Sequence, residues 1–481
     1  MNTWQAFARL LKPLDPYPEF QRRRFTNRAE REKMMASVDR DVHRERKDRL
    51  DWFTNQFLEA SFRAIPRDVR RRRTRRDLTI DQTPISVHSG RGHSKRDSRT
   101  KRETKDVDVL EPEADWYRVP PKFGGKNGKE SDFIHGFAGN TAVLTSFFDH
   151  GDGPLPNIVM AFSLSRPRKN TDIETVRLGK SLVDRGHEPG IVAADRDYWA
   201  HMRIERLHVP MRLMGWQVLT DYRKDQLGIQ PGHGGSILVE GNHMCPGTPA
   251  HLLTTAEDAS KKLITEETFL KRIEERRSFQ LRNKEKPDAN GHVKKMCPAH
   301  GPQAKIECPL RAIHPNASKK TKPRVRDLDV PEDPDKICTQ HSVTFEPKHY
   351  LKFEQPLEYG SPEWQRAYKA TRNTSEGFHG FAKDTAYEDI SNPGRRRARG
   401  MGAQQVLMTF LLFGSNLRKI QSFMKQERKN EAKPATPATR RRRDATGRSK
   451  YRRDWFGPVD KVLDFEQLEQ LAETEPPPPR K

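Results

Sequence analysis

Between Asp77 and Leu219, short apolar runs of strand length alternate with segments whose apolar residues recur at helical spacing. That order predicts an α/β fold, a sheet with helices packed against it. The run Asp77-Leu78-Thr79-Ile80-Asp81 alternates and is rich in β-formers, so it reads as a strand ending at Asp81, with Gln82-Thr83-Pro84 as a turn. Further strands are expected at Phe133 to Phe137, Ala142 to Phe148 and Ile158 to Leu164. The turn Asp149-His150-Gly151-Asp152-Gly153 would join the last two as a hairpin. Thr171-Asp172-Ile173-Glu174 reads as a capping box opening a helix that stops at Gly186. Gly190 to Ala194 reads as a buried strand with Asp195 at its end. A helix over residues 200–214 and a strand from Trp216 to Leu219 complete the series.

The flanks differ in texture. Residues 1–76 read as a helical, basic region: Trp4, Phe7, Leu10 and Leu11 share one helical face, and Leu50, Phe53, Phe57 and Leu58 another. It closes on Arg70-Arg71-Arg72-Arg73-Thr74-Arg75-Arg76, either a solvated linker or a clamp on phosphates. Residues 221–360 carry many Gly, Pro, Lys and His with weak periodicity, and read as an irregular, partly β insertion. Order returns with a helix at Ser361-Pro362-Glu363-Trp364, Ser being the cap and Pro in the first turn. An apolar helix, Ala403 to Met424, follows the basic loop Arg395 to Arg399. Residues 426–481 read as a disordered basic tail. The expected plan is therefore a sheet core over 77–220, an insertion over 221–360, and closing core helices over 361–425.

Composition narrows the partner. Of 481 residues, 90 are Lys or Arg and 66 Asp or Glu, a net charge of +24. An excess of that sign points to a polyanion, nucleic acid or an acidic membrane surface. The best apolar run, Val406 to Phe413, is far short of the roughly 18 residues a bilayer span needs. The N-terminal Met1-Asn2-Thr3-Trp4-Gln5 lacks the pattern of a signal peptide. Four cysteines fit a reducing compartment rather than a disulfide scaffold. A soluble, intracellular, nucleic-acid-binding protein is expected.

Against this basic background the informative residues are acids on ordered elements. Cutting or joining a nucleic-acid backbone calls for two divalent cations roughly 4 Å apart, held by hard carboxylate oxygens. Asp81 and Asp195 are read at strand ends, Asp195 at the carboxyl edge where open α/β sheets gather ligands. Arg372, Glu376, His379 and Lys383 fall at i, i+4, i+7 and i+11, one helical face. Taken alone, that face is equally a salt-bridged surface stripe.

In order and placement the three acids resemble the DDE transposases of bacterial insertion sequences, which carry an RNase H-like catalytic domain. The matches are Thr79-Ile80-Asp81-Gln82-Thr83-Pro84, with Gln82 where the family favours Gly, and Ala194-Asp195-Arg196-Asp197-Tyr198, with Asp197 for Gly. The third is the Arg372, Glu376, Lys383 spacing, with Tyr368 four residues before the Arg rather than three. Glu113-Ala114-Asp115-Trp116-Tyr117, Gly400-Met401-Gly402-Ala403 and Asn416-Leu417-Arg418-Lys419 add to a likeness covering residues 50–425. The resemblance implies an RNase H-like mixed sheet, with Asp81, Asp195 and Glu376 binding two Mg²⁺ or Mn²⁺ ions for strand nicking and strand transfer. Arg372, Lys383 and Tyr368 would contact double-stranded DNA at the element ends and target, with Arg70, Arg71, Arg72 and Arg73 as a further DNA contact. A homodimer on DNA and a bacterial, nucleoid-associated, cytoplasmic location follow from the same likeness. Asp197 is a rival ligand, although a helix cap suits it better than it suits Asp195.

Eighty residues precede Asp81 and show no helix-turn-helix, so a shortened or catalytically inactive DNA-binding relative is the alternative, as is a simple metal-dependent nuclease. Cys297-x2-His300, Cys308, His314 and Cys338-x2-His341 resemble zinc-ligand spacing, while Cys245 stands apart. The separations are irregular, and unligated cysteines with solvated histidines are the other reading. Gly232-His233-Gly234-Gly235 lacks the Gly-Lys-Ser/Thr of a nucleotide loop and precedes a strand, so no nucleotide cofactor is expected.

Overall fold

In the computed structural model the first strand does not stop at Asp81 but runs from Arg75 to Ser86. The structure describes residues 3–89, 108–119, 132–146, 153–195, 198–199, 202–288 and 290–431. In chain order the first elements are α1 (Thr3–Leu11), α2 (Arg28–Ala36), α3 (Arg40–Arg63), α4 (Arg67–Arg71) and β1 (Arg75–Ser86). Next come β2 (Asp115–Val119), β3 (Asp132–Thr145), β4 (Val159–Ser165), α5 (Thr171–Asp184) and β5 (Glu188–Ala194). A π-helical turn, Ile204–His208, leads into α6 (Val209–Leu213), followed by β6 (Gln217–Leu219). Three short strands follow, β7 (Ile229–Pro231), β8 (Ile237–Val239) and β9 (Asn242–Met244), then α7 (Ala250–Leu253), α8 (Thr255–Ser260) and α9 (Glu266–Arg276). Then come β10 (Arg282–Asn283), β11 (Val293–Met296), α10 (Lys336–Thr339), β12 (Val343–Phe345) and α11 (Pro347–Tyr350). The chain closes with α12 (Pro362–Ala382) and α13 (Met401–Glu431). It is mixed α/β, with antiparallel and parallel strand pairs flanked by helices. The described residues fall into two compact units, 3–188 with 373–431, and 189–372.

In the first unit β3 is the spine. It pairs with β1 along one edge, and with β2 and then β4 along the other, all antiparallel. The two strands expected at 133–137 and 142–148 are thus one. Gly136 and Gly139 on it mark close approach to β1: a Cβ at Gly136 would lie 2.0 Å from the Ile85 carbonyl oxygen. That approach lets β1 continue past Asp81, with Thr83 and Ile85 buried and Gln82, Pro84 and Ser86 only partly covered. The expected turn at Gln82-Thr83-Pro84 is therefore strand, and Asp81 lies in mid-strand opposite Thr141. The hairpin turn expected at 149–153 lies almost wholly outside the described residues.

Leu58 of α3, Ile85, Phe137, Phe162, Phe378 of α12 and Met408 of α13 form one buried apolar cluster. Side-chain amides satisfy the outer edge of β4. The N–H groups of Val159, Phe162 and Leu164 donate to Asn416 Oδ1 (2.8 Å), Asn55 Oδ1 (2.8 Å) and Gln405 Oε1 (3.0 Å). Helices α3 and α13 thereby cover a strand edge whose backbone donors would otherwise be buried unpaired.

The capping box expected at Thr171 is absent. Asn170 caps α5 in the left-handed region (φ 52°), without a side-chain cap hydrogen bond. Glu174 turns inward instead, accepting the Ser163 hydroxyl (2.6 Å) and lying 3.5 Å from Lys47 Nζ. A buried ammonium has the stronger claim on that carboxylate. The helix does end as expected, at Gly186 with φ 82°. The tail expected from residue 426 is helical over its first six residues, because α13 runs through Glu431 and Arg72 pairs with Glu427; the rest of it lies outside the described residues.

In the second unit β5 and β6 run parallel, and β5 is apolar and buried. The helix expected over 200–214 is the π turn followed by the five residues of α6. Two three-stranded antiparallel sheets, β7-β8-β9 and β10-β11-β12, occupy much of the rest. Between them the chain is held by a buried Arg276, which pairs with Glu240 and, at 2.9 Å, with Glu358. No helix among the described residues is long and apolar enough to cross a membrane.

Candidate active site

Strand β1 carries Asp81, and backbone pairing to Thr141 on β3 fixes its position. Its Oδ1 accepts the N–H of Gln82 at 2.7 Å, while Oδ2 faces His379 Nδ1 at 3.4 Å. The carboxylate is 29% exposed and the imidazole 8%. Thr141 links them: its hydroxyl donates to the Asp81 carbonyl (3.1 Å) and so accepts from His379 Nε2–H (3.0 Å). One turn away, Thr145 and Thr374 hydroxyls join β3 to α12 at 3.1 Å. The strand thus presents an acid to the helix through two hydroxyl bridges.

On α12, Glu376 is exposed one turn before His379. Lys383 lies just past the helix end, its N–H still donating to the His379 carbonyl at 3.0 Å. Burial pulls the Lys383 ammonium below its usual range, and the Asp81 charge opposes that pull. Burial raises the Tyr117 phenol, with the Asp81 charge adding to it. Asp81, His379, Lys383 and Tyr117 therefore share one electrostatic neighbourhood in the first unit. His379 is the residue that sequence reading left without a role. Its place on the Glu376 face was visible, but its contact with Asp81 exists only in three dimensions.

Asp195 and Arg372 belong to the second unit. Asp195 is exposed immediately after β5, and its carbonyl accepts the Tyr198 N–H at 2.9 Å. Asp197 lies outside the described residues. Tyr368 stacks on Trp364 with ring centres 5.0 Å apart and planes 9° from parallel. Ser361 Oγ accepts the Trp364 N–H at 3.2 Å and so caps α12.

The arginine run is largely engaged with the protein. Arg70 Nε donates to the Ile65 carbonyl (2.9 Å), Arg72 pairs with Glu427, and Arg73 Nε reaches the Gly153 carbonyl (3.3 Å). Arg71 is exposed. Arg396, in the second basic stretch, is fully buried and donates to the carbonyls of Ile390 (2.7 Å) and Ser86 (3.1 Å).

The cysteine and histidine pairs lie in the second unit. Cys245, Cys297 and Cys308 share one apolar cluster, and the rings of His300 and His341 meet at 4.3 Å. Among the described residues, no group of three or more His, Cys, Asp or Glu side chains is arranged to hold a metal ion. Compared with family models, curated proteins and solved structures, the chain matches none of them.

Proposed function

We propose that this chain is a DDE-type transposase with an RNase H-like catalytic core, cleaving DNA at the ends of a mobile element and transferring the strand. One observation carries the reading: a strand acid, Asp81, meets the helix face bearing Glu376 and His379, with Lys383 just past the helix end, two motifs far apart in sequence. The donor set suits Mg²⁺ or Mn²⁺, since Asp81, Asp195 and Glu376 offer hard carboxylate oxygens and two of them are exposed. Bound at those residues, the ions would lower the pKa of the attacking hydroxyl and neutralise charge on the leaving oxygen.

The protein's own groups have the remaining tasks. Asp81 is fixed by the Gln82 N–H, and His379 and Thr141 hold it in register. Lys383 and Arg372 would contact the DNA backbone beside the scissile phosphate, where negative charge grows in the transition state. Double-stranded DNA is the partner in this reading, a polyanion that a net charge of +24 attracts, and its binding would weaken steeply with salt.

The test uses purified full-length protein, Mg²⁺ and linear DNA carrying the sequences that flank the coding region on both sides. Strand cleavage followed by joined product is expected, with both lost on chelation. DNA binding with no cleavage would recast the chain as a binding protein. Cleavage without joining would recast it as a nuclease.

A further inference from the structure

All four cysteines of the chain lie in the second unit, and three of them open the same turn. In Cys245-Pro246-Gly247-Thr248 the Thr248 N–H donates to the Cys245 carbonyl at 3.0 Å. Cys297-Pro298-Ala299-His300 and Cys308-Pro309-Leu310-Arg311 repeat it, with closures from His300 and Arg311 also at 3.0 Å. Proline presets the second position of such a turn. In each, the backbone N–H two residues on (Gly247, Ala299 or Leu310) donates to the cysteine sulfur. An N–H aimed at sulfur stabilises a thiolate, which a merely packed thiol does not need.

The turns converge. Cys245, Cys297 and Cys308 lie in one apolar cluster, and the Cys245 thiol donates to Cys297. Cys338, leading Cys338-Thr339-Gln340-His341, lies near enough for the charges of Cys297 and Cys308 to act on it. Two arginines face the same place. Arg311 reaches His300 Nδ1 (3.1 Å) and the Gln340 carbonyl (2.7 Å), and Arg282 donates to the His300 carbonyl. The Nε atoms of both are buried without a hydrogen-bond partner. Those donors suit a buried anion, and the charges of Arg311 and Arg282 already act on Cys297.

We propose that Cys245, Cys297, Cys308 and Cys338 together bind one structural Zn²⁺, with Arg282 and Arg311 balancing its charge. A tetrathiolate zinc is a net dianion, which two guanidiniums offset. The thiol protons leave as the metal enters, so binding tightens as pH rises. Among the described residues no three of these side chains stand at coordinating positions, and side-chain rotation on the preformed turns would close the set. His300 is the weaker ligand because its Nδ1 faces a guanidinium. The reading adds Cys245 to the expected ligands and removes His300, His314 and His341, and it is independent of the proposed activity.

The experiment is metal analysis of full-length protein purified under reducing conditions, followed by cobalt substitution. One equivalent of zinc per chain is expected, released when a mercurial titrates four thiols. The Co²⁺ form should show thiolate-to-metal charge transfer of four-sulfur intensity, a readout of the wild type that needs no variant to fold. Cys245→Ser should lose the metal or the four-sulfur spectrum, whereas His300→Ala and His341→Ala should leave both unchanged. Arg311→Ala should weaken zinc affinity by about 10–100-fold. Substoichiometric zinc after refolding with Zn²⁺, a Cys245–Cys297 disulfide by mass spectrometry, or metal loss in the histidine variants would each overturn the proposal.

Discussion

The two units are built on different principles. The first uses long elements, the 24 residues of α3, the 14 of β3 and the 31 of α13, and they bury a broad apolar cluster with a smaller one around Leu11, Leu50 and Val406. Apart from β5, the second is made of strands of two to four residues and mostly short helices, and its described apolar residues gather in smaller clusters. Where burial is thin, point links have to fix the fold, and Arg276 between Glu240 and Glu358 is such a link. A long-element region tolerates the loss of one polar contact, whereas a short-element region does not.

Arg276→Ala should therefore have the largest effect on stability. It leaves two buried carboxylates facing each other without a cation, a cost of about 3–5 kcal/mol, read as a fall in urea midpoint. A loss under 1 kcal/mol, on the order of a surface pair, would break the contrast.

The next prediction concerns a polar group that the first unit tolerates at a cost. Glu111 is buried and accepts the Gly400 N–H. Burial, with Glu113 beside it, pushes its carboxyl from the ordinary 4.5 up to about 7. The folded state therefore holds a proton that the unfolded state releases, so stability falls as pH rises from about 4.5 to 7. Glu111→Gln keeps the acceptor without the charge and should stabilise by up to about 3 kcal/mol above that window. Below pH 4.5 the gain should vanish. Thermal melts at the two ends of the window check the sign.

Arg49→Ala is the smallest. Arg49 pairs with Glu45 on an exposed face of α3, both more than half exposed. The expected change is below about 0.5 kcal/mol, measured by the same urea titration as Arg276→Ala, so that the two bracket the range.

The same contrast decides what could be read from sequence. Strand β5 with Asp195 after it, and the helix carrying Glu376 and His379, follow from local sequence. The boundary of β1 was misplaced because Gln82-Thr83-Pro84 has turn chemistry, while Gly136 and Gly139, which make room for Ile85, lie on another strand. The Glu174 carboxylate was given to the helix cap because the competing Lys47 is distant in sequence. In the second unit, three-residue strands are too short to show a period. Cys245 likewise stood apart from Cys297 until folding brought the two thiols into contact. Spacing along one helix is local information; a contact between a strand acid and a helix histidine is not.

The central claim is that Asp81 takes part in metal-dependent DNA cleavage. The most direct measurement is the single-turnover cleavage rate, in Mg²⁺, of full-length Asp81→Asn against wild type on DNA carrying the sequences that flank the coding region, with both proteins matched for thermal unfolding. The account predicts a loss of about 10³-fold or more. A variant cleaving within about tenfold of wild type would contradict it.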